Sequence, residues 1–191
     1  MVLIESRHGM TYPSPAVRIL LILTVFLAAF FDLRSRRIPN WLTVSGACLG
    51  LGLNFFLGEF PGLWMGAKGL GLAMLVYLPL YVIRAMGAGD VKLMAAIGAI
   101  LGPMNWLGVF MITAILGGPI AVLTAMARGR LRQSLANVLL IVRDLAHFLP
   151  PYRRTEELDI QNPRALTMPH GAILALGASG FLIAGMLWAP K

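Results

Sequence analysis

Apolar residues run in long blocks along this chain, and the breaks between blocks fall on glycine, proline and charge. The first block covers residues 16–31. It ends on Asp32, and the basic stretch Leu33-Arg34-Ser35-Arg36-Arg37-Ile38-Pro39-Asn40 follows. The second block, 41–57, stops at the turn Gly58-Glu59-Phe60-Pro61-Gly62. The third, 63–83, stops at Arg84 and runs into Gly87-Ala88-Gly89-Asp90. Residues 91–126 are almost wholly apolar. At about 1.5 Å of rise per residue they are too long for one crossing of a ~30 Å hydrocarbon layer. Gly102-Pro103-Met104-Asn105 divides them into two short helices joined by a tight turn. The last block is 169–188. The pattern predicts an all-α, polytopic integral membrane protein with about six transmembrane helices. It reads as a single membrane-embedded domain over 1–191.

One stretch departs from this pattern. Residues 127–168 carry Arg128, Arg130, Arg132, Arg143, Arg153, Arg154 and Arg164. Within them Leu131, Leu135, Val138, Val142, Leu145 and Leu149 recur at helical spacing. Arg132, Asn137, Arg143, Asp144 and His147 fall largely on the other side. The expectation is a cytoplasmic basic loop holding one amphipathic helix that lies on the membrane surface.

Composition agrees with lipid as the second apolar phase. Residues are 58% hydrophobic and 13% charged, with a mean hydropathy of +0.79. A soluble domain carries roughly 25% charged residues. The net charge of +8 raises the question of nucleic acid. The positive residues sit in short clusters between apolar runs, which is how a membrane protein sets its orientation, so no nucleic-acid partner is expected. That rule puts Arg34, Arg36, Arg37, Arg84, Lys92 and the 127–168 loop in the cytoplasm. The turns near Glu59 and Asn105, and Lys191, then face outward. The expected location is the cell inner membrane. The N-terminus does not read as a cleaved signal peptide, since three arginines follow the first apolar run and no soluble segment does. Gly46/Gly50 and Gly98/Gly102 are G-x-x-x-G pairs suited to close helix packing. The lone Cys48 lies in an apolar run and reads as packing. With His8, His147 and His170 scattered, neither a zinc site nor a cofactor is expected.

The acidic residues number only eight, and Asp32 and Asp90 alone abut spans on the basic side. Two crossings separate them, so the chain returns and both end at similar depth. Ionisable groups there are costly and usually functional or paired. Taken singly, each has a plain reading: Asp90 as a helix cap after a glycine turn, Asp32 as a partner of Arg34, Arg36 or Arg37. Taken together, with Gly87 and Gly89 permitting close approach, they fit a catalytic pair. Two carboxylates about 3 Å apart cannot both ionise. One stays protonated and hydrogen-bonds a carbonyl, while the other accepts a proton from the attacking water. Lys92 reads as an interface anchor, or as a group that tunes Asp90 from the next turn.

The segments Asp32-Leu33-Arg34-Ser35-Arg36-Arg37-Ile38-Pro39-Asn40-Trp41-Leu42-Thr43 and Gly87-Ala88-Gly89-Asp90-Val91-Lys92-Leu93 resemble the two aspartate motifs of type IV prepilin peptidases. Met168-Pro169-His170-Gly171-Ala172 is similar to the family's C-terminal P-aromatic-G-P segment, with His170 at the aromatic position and Ala172 at the second proline. The resemblance spans about 16–188. It implies an aspartyl protease that removes the basic leader of a prepilin on the cytoplasmic face, cutting after a glycine. Asp32 and Asp90 would be catalytic, with Gly87, Gly89, Lys92, Pro39 and Asn40 shaping the site. The chain looks like the short form found in Flp-type, tight-adherence pilus systems, without the cysteine-rich and methyltransferase parts. Two other readings fit the same residues. One is a different G-x-G-D intramembrane protease. The other is a non-enzymatic transporter or channel subunit with Asp32 and Asp90 in an ion path.

Overall fold

The computed structural model describes residues 12–82, 86–129, 131, 132, 136 and 170–188. Among them are four long helices and no strand: α1 (Pro15–Ser35), α2 (Asn40–Val82), α3 (Ala88–Ala127) and α4 (His170–Trp188). Each is long and apolar enough to cross a membrane. Of the surface helix expected within 127–168, residues 131, 132 and 136 are described, as helix, and the rest lies outside the described residues, as do Arg84 and Pro169.

α1 begins with Pro15 in its first turn, where a missing N–H is harmless. It runs past Asp32 to Ser35, four residues beyond the apolar block, because Arg36 adopts a left-handed cap (φ 53°) whose N–H returns to the Asp32 carbonyl. Val17, Leu21, Thr24, Val25, Ala28 and Asp32 are buried. They recur every three to four residues and form one stripe. Ile19, Leu23, Phe26, Phe30 and Leu33 form the opposite stripe and are more than half exposed. Such a row of large apolar side chains needs an apolar solvent. Asp32 therefore ends the inward stripe. Cys48 is exposed on the outside of α2 rather than packed.

α2 and α3 are each folded back on themselves. α2 leaves helical geometry at Gly58 and Glu59. Beyond that break, a methyl at Gly66 would lie 3.0 Å from the side chain of Leu51. In a straight helix those residues are about 22 Å apart. α3 breaks at Gly102, whose φ of 73° suits glycine. Trp106 Nε1 then donates to the Met94 carbonyl at 3.1 Å, a pair that would stand about 18 Å apart on a straight helix. The break has a cost. Pro103 has no N–H for the Ala99 carbonyl. Asn54 Nδ2 supplies the missing donor, reaching Ala99 O at 2.9 Å, Ile100 O at 3.1 Å and Gly50 O at 3.0 Å. In lipid no water would substitute for it.

The first half of α3, residue 91 and residues 93–101, is the buried centre of the molecule. Gly98 and Gly69 pack backbone to backbone, so that a methyl on either would collide with the other's carbonyl. Gly46 rests on Thr24 and Gly50 on Ile100. Tyr77, Trp106 and Phe110 close one side, with Trp106 and Phe110 stacked at 5.5 Å. This packing brings the ends of α1 and α2 and the starts of α3 and α4 to one end of the bundle.

Candidate active site

Asp32 enters from the last turn of α1 and is 8% exposed. Its Oδ2 accepts a 2.8 Å hydrogen bond from the backbone N–H of Gly171, the second residue of α4. Asp90 enters from the first turn of α3 and is partly buried. Gly87 occupies the cap position with no side-chain cap bond, and its carbonyl accepts from the N–H groups of Asp90 and Val91. Asp90 is therefore not the helix cap. It sits in the first turn, where the helix dipole favours a negative group. Asp90 lies close enough to interact electrostatically with Asp32, His170 and Tyr77.

The remaining motif residues frame this corner. Ile38 packs on Gly89, so that a methyl there would stand 3.3 Å from the Ile38 Cβ. The Pro39 carbonyl accepts from the N–H groups of Leu42 and Thr43 and starts α2. Lys92 points to solvent, and its Nζ donates to Asn40 Oδ1 at 2.9 Å. The two aspartate segments are thus tied by a side-chain bond. A cavity of about 210 Å³ adjoins the corner, lined among others by Tyr77, Phe110, Thr113, Gly117, Gly118 and His170. Its walls are mostly apolar, and Thr113 Oγ1 is buried there with no hydrogen-bond partner.

Three contributors are not marked by the aspartate motifs. Tyr77 reads as one more apolar position in a span. Asn54 is a polar residue in a span, a signal that could have singled it out. Gly171 lies in the third resembling segment, but nothing in that segment says which atom of which residue it touches.

A family model described as the type IV leader peptidase family matches residues 19–122. Three curated proteins, each named "Prepilin leader peptidase/N-methyltransferase", are similar to this chain. The one from Myxococcus xanthus (strain DK1622) is 36% identical over 130 residues, covering 65% of this chain and 38% of the relative. The one from Xanthomonas campestris pv. campestris is 32% identical over 123 residues, covering 58% and 41%. The one from Neisseria gonorrhoeae is 34% identical over 118 residues, with the same coverage. The chain spans about two fifths of the length of these relatives. No solved structure matches it.

Proposed function

Because the chain belongs to the type IV leader peptidase family, we propose that it is a membrane aspartyl endopeptidase that removes the basic leader from a type IV, Flp-like prepilin. The observation that supports it best is the convergence of Asp32 and Asp90 from separate helices on one corner of the bundle. In this reading one carboxylate takes a proton from water as that water attacks the scissile carbonyl. The other, protonated, polarises the carbonyl oxygen and then hands its proton to the departing amine. The step consumes one water and needs no covalent intermediate.

Topology supports the choice of substrate. The folding back of α2 and α3 makes six crossings the natural count, with α1 and α4 as one each. Arg34, Arg36, Arg37 and Lys92 then mark the aspartate end as cytoplasmic, at the inner membrane. A scissile bond at that depth lies just before the substrate's own apolar helix, with a basic leader upstream. The backbone there must be slim to reach two carboxylates between helices, which favours glycine before the cut. The apolar cavity beside Tyr77 and His170 is the proposed seat for the start of the substrate helix. Co-expression with a prepilin, followed by N-terminal sequencing of the product, tests the reading. The expected product begins immediately after the leader glycine with its apolar helix intact. A cut inside that helix, or on its outward side, would overturn it.

A further inference from the structure

We propose that Gly171 is a positioning residue: its backbone N–H fixes the orientation of the Asp32 carboxylate, and its missing side chain lets α4 come close enough to do so. The inference rests on the reading of Asp32 as catalytic. The first N–H groups of a helix have no intrahelical acceptor. Gly171 spends one of them on Asp32 Oδ2 at 2.8 Å, across 139 residues of chain. An N–H can only donate. Oδ2 therefore has one lone pair committed as an acceptor, which leaves Oδ1 the less encumbered oxygen for the proton of the reaction. The contact also sets an upper limit on the size of the side chain at 171. A methyl at residue 171 would stand 2.9 Å from the Asp32 Cβ and 3.1 Å from its Oδ2. The atom in the way is anchored to the α1 backbone, so relief requires α1 and α4 to part. No other side chain fits, and the N–H reaches the carboxylate only at this separation.

The test compares two glycines of α4. At Gly180 an added methyl meets only the Ile112 Cγ2, the end of a flexible side chain, at 3.2 Å. Purified Gly171→Ala is expected to lose roughly 10²-fold in kcat with KM within about twofold, the signature of a misplaced reacting group. Gly180→Ala is expected to keep both. Wild-type kcat in folded Gly171→Ala, or an equal kcat loss in Gly180→Ala, overturns the proposal. A second measurement covers a Gly171→Ala that does not fold. Pairing carbonyl-labelled histidine with nitrogen-labelled glycine leaves two amide signals, from Gly9 and Gly171. Replacing Asp32 by alanine is expected to move the Gly171 proton upfield and to leave Gly9 in place. A Gly171 signal that stays put refutes the contact. Failure of the functional reading looks different: the unaltered protein would then not cleave, or Asp32→Asn would cleave as well as it does.

Discussion

Lys92 and Asn40 join the two aspartate segments through one 2.9 Å hydrogen bond, although 52 residues separate them in sequence. Both side chains are exposed, so a net contribution of about 0.5–1.5 kcal/mol is the right scale. Lys92→Ala and Asn40→Ala are each expected to slow cleavage roughly two- to tenfold. The double variant should be no slower than the worse single one, because the pair acts as a unit. Steady-state kinetics of the three variants checks this. Fully additive losses would show that the residues work separately.

Asp32→Asn and Asp90→Asn are each expected to abolish leader removal, by roughly 10³-fold or more, while the protein stays folded. On the proposed mechanism the two carboxylates act together, so the double variant is expected to add little. Mass spectrometry of a co-expressed prepilin reads the loss directly. Cleavage at the normal rate by either purified single variant would remove that residue from the mechanism.

The sides of the membrane follow from arginine density. In a Cys48→Ser background, single cysteines replacing Ser35 and Ser134 are expected to label from the cytoplasm, and one replacing Glu59 from outside. Cys48 is exposed on α2, which makes its removal both necessary and mild. Ser35 and Glu59 labelling from the same side contradicts the six-crossing arrangement.

Gly118 lines the cavity, and a methyl there would meet nothing within 4 Å. A side chain at 118 therefore starts in open space, and the ring of Gly118→Phe is directed at space proposed for the substrate helix. Steric exclusion on this scale costs about 1–3 kcal/mol. Cleavage efficiency is expected to fall roughly tenfold with thermal stability unchanged. Unimpaired cleavage would place the substrate elsewhere.

The sequence shows some of this molecule well and some of it not at all. The breaks at Gly58 and Gly102 are legible, because glycine and proline interrupt a helix wherever they meet in the chain. Asp32 and Asp90 stand out because charge is rare in apolar runs. The direction each helix faces is harder to read. In lipid the outward stripe of α1 (Ile19, Leu23, Phe26) is as apolar as the inward one (Val17, Leu21, Val25), so the contrast that marks a soluble core is missing. Asn54 bracing Ala99 and Gly171 on Asp32 are contacts across many residues. They follow from how the helices cross, and no local pattern encodes them.

The bond between Asp32 and Gly171 also orders events during synthesis. Asp32 and Asp90 both precede residue 171 in the chain, so both are made before α4. Until residue 171 arrives, Asp32 has no α4 donor to turn it and the corner stands open on that side. On the proposed roles, a nascent chain carries both acids yet lacks the geometry to cut anything, its own neighbours included. On that reading the corner can cut only once α4 has docked against α1.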